Sequence, residues 1–168
     1  ELNIPNPKQY INDKNNTYRA NPTDRLINSA HRPEELAKEC EVFKNNLKSN
    51  MDKIPTTWRE ELVDSFGVGY NNGNIIYIYY DKGKPIGWKH KKGSNKGFKC
   101  QWYPKDRIAS YRRDLILYIC EGEKDALSLI SFGYQAITSS NGCGNIPKIE
   151  YDDNTKEYDL EIFKDFTN

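Results

Sequence analysis

Residues 115–120 read Leu-Ile-Leu-Tyr-Ile-Cys, an unbroken apolar run that ends at Glu121-Gly122-Glu123. A run of this length with no polar alternate predicts a strand buried on both faces, as in a parallel sheet. Residues 124–132 follow with Ala126, Leu127, Leu129 and Ile130 on the packed side of a helix, and Gly133 ends it. Residues 135–138 predict a second short strand and residues 139–144 a flexible loop. Strand, helix, strand is the order of a βαβ unit. Open sheets of this kind bind ligands in the crevice off the carboxyl ends of their strands, where Glu121 stands, with Gly122 turning the chain tightly beside it. A carboxylate there can ligate Mg²⁺ or act as a general base when a hydroxyl attacks a phosphate. The alternative is that Glu121 and Glu123 merely favour the N-terminus of the following helix, an effect of about 0.3 to 1 kcal/mol.

Upstream, residues 1–31 are rich in Asn, Pro, Lys and Asp, hold no sustained period and predict an arm or linker. Pro33 suits the first position of a helix, and Leu36, Cys40, Phe43 and Leu47 give that helix an apolar face. After Ile54-Pro55, Thr57 with Glu60 reads as a capping box for a second helix carrying Trp58, Leu62, Val63 and Phe66, stopped by Gly67 and Gly69. The period then changes. Residues 74–80 predict a strand, Asp81-Lys82-Gly83 a turn and residues 85–90 a partner strand. A second turn at Gly93-Ser94-Asn95 leads to a third strand over residues 98–103, with Lys99, Gln101 and Tyr103 on one side and Cys100 and Trp102 on the other. Beyond the βαβ unit, residues 149–158 predict a hairpin around Asp152-Asp153-Asn154, and Leu160, Phe163 and Phe166 a last short helix. The fold class is α+β: a helical and antiparallel-sheet part followed by an α/β part.

The 168 residues suffice for one domain with a respectable core, and the net charge is only +1, so bulk charge names no partner. Its distribution is more informative. Nine lysines and arginines between Lys82 and Arg107 share that stretch with one acid, Asp106, while residues 150–165 form an acidic tail. Lysines alternating along a strand, with Lys89 and Lys91 on one face, can neutralise phosphates. They can equally be a solvated edge that discourages aggregation. Trp88, Phe98, Trp102 and Tyr103 interleave with them and could stack on bases, although most belong in a core. Cys40, Cys100, Cys120 and Cys143 form no zinc-type spacing, and His31 and His90 have no partner that suggests a triad or metal site. No run approaches the ~20 apolar residues needed to cross a bilayer, and nothing resembles a signal peptide. Reduced thiols in a cytoplasmic protein are expected. The chain begins at Glu1 and is read as a fragment.

The stretch Tyr118-Ile119-Cys120-Glu121-Gly122-Glu123-Lys124-Asp125-Ala126-Leu127-Ser128-Leu129 resembles the first signature of the Toprim family, which includes bacterial and phage primases and topoisomerases. Gly133, residues 136–140 and Asn141-Gly142 occupy the later places of that pattern. Ser65-Phe66-Gly67-Val68-Gly69-Tyr70 through Ile86-Gly87-Trp88-Lys89 resembles the part that precedes Toprim in primases, and Lys89-His90-Lys91 with Lys96-Gly97-Phe98 is similar to the basic motif of phage helicase-primases. The resemblance spans residues 57–144.

It implies a primase that synthesises RNA primers on single-stranded DNA from ribonucleoside triphosphates, using Mg²⁺ or Mn²⁺, with a fused or associated replicative helicase as a further partner. Glu121 would be the catalytic, metal-facing acid. Asp125 would support the turn or the metal, unless it is only a first-turn helix acid. Lys89, Lys91, Lys96, Lys99 and Arg112 would hold template or nucleotide. The implied division is residues 1–31 as arm, 32–110 as primase N-terminal subdomain and 111–168 as a partial Toprim domain. The second acidic signature, Asp-x-Asp, is missing after Glu121, so the fragment is expected to be inactive alone. Two other readings compete: a primase-like module of a helicase that binds single-stranded DNA without synthesis, and a Toprim nuclease of phage defence or repair.

Overall fold

The computed structural model describes residues 33–95, 97–142, 144–150 and 156–166. The expected arm at residues 1–31, together with His31, Lys96, Cys143 and Asp152-Asp153, lies outside the described residues. Helix α1 (Pro33–Lys48) buries Leu36, Cys40, Phe43 and Leu47, the face that its spacing predicts. It packs on a meander of four antiparallel strands in the order β1-β2-β3-β4: β1 (Val68–Asn71), β2 (Asn74–Asp81), β3 (Lys84–His90) and β4 (Gly93–Ser94). Two-residue turns join the first three. Asn72-Gly73 and Lys82-Gly83 all have positive φ, as hairpin turns matched to the right-handed strand twist require.

Strand β2 is buried on both faces. Successive side chains of a strand point to opposite sides. Ile76 and Ile78 therefore meet Leu36, Cys40 and Phe43 of α1, while Tyr77 and Tyr79 enter a second core with Trp58, Val63, Tyr103 and Leu127. That second core joins the meander to the rest of the chain. There, β6 (Leu117–Cys120), α4 (Glu123–Ser131) and β7 (Gln135–Ser139) form the expected parallel βαβ unit, and β5 (Trp102–Tyr103) adds antiparallel to β7, in the order β5-β7-β6. A hairpin of β8 (Lys148–Glu150) and β9 (Lys156–Tyr158) and a 3-10 turn at Glu161–Phe163 complete the α+β fold. No helix among the described residues is long and apolar enough to cross a membrane.

Three local expectations are corrected. The apolar run at residues 115–120 does not make a strand buried on both faces. Strand β6 is the edge of its sheet, and Ile119 is 60% and Ile116 57% exposed. The third strand of the lysine sheet is absent as well: residues 98–101 are not a strand, and Trp102-Tyr103 pairs with β7 instead. Phe98 causes the departure, because its ring lies over β3, where a Cβ on Gly87 would fall 2.2 Å from Phe98 Cδ2, and packs 4.8 Å from the Tyr79 ring. The chain thus crosses the sheet rather than extending it. Third, Thr57 caps nothing. Helix α2 (Glu60–Ser65) starts after Arg59 with no side-chain cap, while Thr57 Oγ1 lies 3.5 Å from Ser128 Oγ and Trp58 Nε1 donates to that same oxygen at 3.1 Å. The segment docks α2 onto α4.

Gly69 does not stop a helix; it sits inside β1, where a Cβ would come within 2.6 Å of Phe43 Cβ and 3.0 Å of the Phe43 carbonyl carbon. The clash is partly with backbone, so α1 would have to move. We expect Gly69→Ala to destabilise the fold by about 1 to 3 kcal/mol, the usual cost of overpacking. Gly144, with nothing within 4 Å, is the control. Urea denaturation of both variants checks this, and equal stabilities would remove α1 from the determinants of the meander.

Candidate functional site

Cys120 pairs with Thr138, so Glu121 and Ser139-Ser140 leave the parallel sheet at the same level, at its carboxyl end. Glu121 is exposed. Gly122 is extended and serves as the N-cap of α4. A Cβ on Gly122 would lie 3.9 Å from Asp125 Oδ2, and one on Gly142 would lie 3.9 Å from the Glu121 carbonyl oxygen. The exposed Asp125 carboxylate therefore lies beside the turn, and the loop after β7 closes against it. Burial, and then the charge of Asp125, push the Cys120 thiol above its ordinary range. Two carboxylates thus stand near one glycine turn at the ligand-binding end of a parallel sheet.

The neighbouring acid has the opposite environment. Glu123 is 6% exposed, and its Oε1 accepts from the Tyr79 hydroxyl and faces Lys89 Nζ at 2.9 Å. Lys89 Nζ also donates to the Ser140 carbonyl oxygen. A buried carboxylate is tolerated when paired and hydrogen-bonded, and here both conditions are met. The cluster ties β2 and β3 of the meander to the first turn of α4 and to the loop after β7. Burial, followed by the Glu123 charge, drives the Tyr79 phenol far above its ordinary range; burial does the same to Tyr103, whose ring lies 5.1 Å from that of Tyr79.

The expected basic residues separate. Lys89 is committed to Glu123 and Ser140. Strand β3 ends at His90, so Lys91 is not its strand-face neighbour; it lies in the turn, exposed, beside a cavity of about 220 Å³ that Ser140 and Asn141 also line. Lys99 lines a larger cavity of about 570 Å³ on the other side of Asn141, with Gln101, Asn145 and Lys148. Arg112 is at the far end: its backbone N–H donates to Gln135, the first residue of β7, and its guanidinium grips Asp114 at 2.5 and 3.0 Å. The structure does not bring Arg112 to Glu121. Trp102 and Tyr103 are buried, and Trp88 donates to Glu39, so the interleaved aromatics are largely core, with half-buried Phe98 lining the smaller cavity.

Sequence reasoning missed Glu123, Lys148 and Asn141. Glu123 was findable, because it stands three, four and seven residues before Ala126, Leu127 and Ile130 and so belongs to the buried stripe of α4. Lys148 gave no signal and Asn141 entered only as part of the loop of the family pattern, since the placement of both depends on how the loop after β7 returns. Among the described residues, no three His, Cys, Asp or Glu side chains form a metal-holding group. Glu121 and Asp125 alone have the hard oxygen donors of a Mg²⁺ ion bound by one or two carboxylates and completed by substrate phosphates.

Two outcomes are expected. Lys89→Ala leaves the Glu123 charge buried without its cation and should cost about 3 to 5 kcal/mol, whereas Lys89→Ala combined with Glu123→Gln should recover much of that loss. Thermal melts of the set check the pair; an additive double variant would show that it is not coupled. On the alkaline side, Tyr79 and Tyr103 stay neutral when folded but ionise near 10.0 when unfolded. Their raised values contribute stability that is full below about pH 10 and is lost as pH rises further toward the folded values. Absorbance at ~295 nm should show these phenols ionising together with unfolding, and their titration in a still-folded chain would refute the burial.

The chain matches no family model, no curated protein and no solved structure.

Proposed function

We propose that this chain is part of a Toprim-type primase, whose parent protein makes RNA primers on single-stranded DNA by metal-dependent nucleotidyl transfer in the cytoplasm of a bacterial cell or phage-infected host. The observation that carries the reading is the divergence of the two acids in Glu121-Gly122-Glu123. Glu123 is buried and neutralised by Lys89, while Glu121 is held open at the carboxyl end of β6 with Asp125 beside the same turn. The two acids are therefore not equivalent helix-start charges.

The chain's own residues have distinct tasks in that reading. Glu121, with Asp125, presents negative charge toward the crevice; a Mg²⁺ or Mn²⁺ ion bound there would stabilise charge on the transferring phosphates. Gly122 keeps the turn narrow. Lys89 acts on the site indirectly, by holding the Ser140 carbonyl and the loop after β7. Lys91 and Lys99, on either side of Asn141, are placed to neutralise phosphates of template or nucleotide. The open edge of β6, with Tyr118 and Ile119 exposed, supports completion of the sheet by another strand. A strand joining β6 in parallel would end beside Glu121, where the Asp-x-Asp acids of the resemblance are required. Lys91, Lys99 and Lys148 around the loop also favour a second reading, a primase-like module that only binds single-stranded DNA.

Glu121→Gln removes an exposed charge and almost no volume, so it should abolish primer synthesis by the parent protein while stability stays within about 0.5 kcal/mol. Primer extension on single-stranded DNA, with thermal melts alongside, decides the matter. Near-normal synthesis would reduce Glu121 to a helix-start acid. In the binding-module reading the unaltered parent makes no primers, yet Lys91→Ala weakens DNA binding and flattens its salt slope by about 0.7.

A further inference from the structure

A cavity of about 370 Å³ lies away from Glu121 and shares no lining residue with those beside Asn141. It opens between the end of α1, the end of α2, strand β2 and α3 (Lys105–Ile108). Its apolar surface comes from Phe66, Ile78, Tyr80, Tyr103 and Pro104, three of them aromatic. Of its charged groups, four are already engaged. Asp64 holds Lys44 at 2.9 Å, Lys105 is paired with Asp81 at 3.3 Å, and Asp106 accepts the Lys82 and Gly83 backbone N–H groups at 2.9 and 2.8 Å. Arg107 differs. One guanidinium nitrogen donates to the Ser65 carbonyl at 2.9 Å, and the group lies over the Phe66 ring, 5.3 Å from its centroid. A guanidinium has five N–H donors in a fixed fork, so this one is oriented by two contacts and retains donors for an incoming anion.

We propose that this cavity binds an aromatic anion: a flat ring system against Tyr80 and Pro104 with one carboxylate or phosphate on Arg107. The volume is within the range of small-molecule sites, and apolar and polar groups share its walls about equally. Counting Asp81, which holds Lys105, the three cations Lys44, Lys105 and Arg107 meet three acids, Asp64, Asp81 and Asp106, so the anion relies on the donors of Arg107 rather than on an excess of positive charge. An arginine already stacked and hydrogen-bonded loses little freedom on binding, whereas an exposed lysine would lose more. The site does not depend on the primase reading, because none of its residues belongs to the Glu121 crevice.

Isothermal titration of the 168-residue protein with indole-3-acetate and with adenosine monophosphate, against acetate, inorganic phosphate and adenosine, tests the proposal. At least one of the two aromatic anions should bind at least tenfold more tightly than its ring or its anion alone, and which one binds identifies the carboxylate or the phosphate as the natural group. Arg107→Ala should weaken that binding at least tenfold, with Arg107→Lys between the two, and thermal melts should show both variants folded. Tyr80→Leu should weaken it independently, which keeps the test open if Arg107→Ala fails to fold. The proposal is overturned if neither aromatic anion exceeds its parts, if folded Arg107→Ala or Tyr80→Leu binds as the unaltered protein does, or if Lys91→Ala, rather than either of these, abolishes binding.

Discussion

Glu123 is a carboxylate placed where solvent cannot stabilise it, and the two halves of the fold meet through the groups that compensate for this. Its partners come from two strands of the meander, Tyr79 on β2 and Lys89 on β3, while Glu123 itself opens α4 of the parallel unit. Removing one partner from such a cluster is far more costly than never having had it, because the remaining charge keeps its desolvation penalty. The cluster therefore works as a registration device between α4 and the meander. Lys89 extends it by one more bond, to the Ser140 carbonyl, so the loop after β7 takes its position from the same point.

This arrangement changes what the basic stretch means. Read along the sequence, Lys89, Lys91, Lys96 and Lys99 are equivalent positive charges, the first two at the alternating spacing of a strand face. In the fold, Lys89 is largely withdrawn from solvent and satisfied internally, while Lys91 and Lys99 reach the rims of two cavities separated by Asn141. A phosphate-bearing ligand near the loop would be met by lysines from three different segments, the turn after β3, the segment before β5 and β8, rather than by one strand face. Such a surface can follow a backbone without reading its bases.

Helices α1, α2 and α4, the β2–β3 hairpin and the βαβ unit were legible because their signals are local: apolar spacing in α1, the Lys82-Gly83 turn, the glycine after α4. What failed depended on partners distant in sequence. A six-residue apolar run shows that a strand is made for burial on both faces, but not whether the burying neighbour is present, and around β6 the described residues supply it on one side only. The strands buried on both faces here are β2 and β7. Phe98 shows the same limit: its alternation with Cys100 and Trp102 fits a strand, yet the space above Gly87 takes its ring and redirects the chain. Of the candidate site, the position of Glu121 followed from a pattern contained in a dozen residues. The burial of Glu123 was available from helical spacing but was masked by the equally good explanation that acids favour helix starts.

Two carboxylates separated by a single glycine would ordinarily repel one another and share one environment. Here the turn sends Glu123 onto the packed stripe of α4 and leaves Glu121 at the strand end, so the first acid is matched by Lys89 while the second has no cation within ion-pair distance among the described residues. Asp125 adds a second carboxylate to the same turn. Like Glu121 it is exposed and solvated, and in the first turn of α4 its charge is favoured by the helix N-terminus by about 0.3 to 1 kcal/mol. The same turn that orders the protein through Glu123 thereby leaves Glu121 exposed at the carboxyl end of β6.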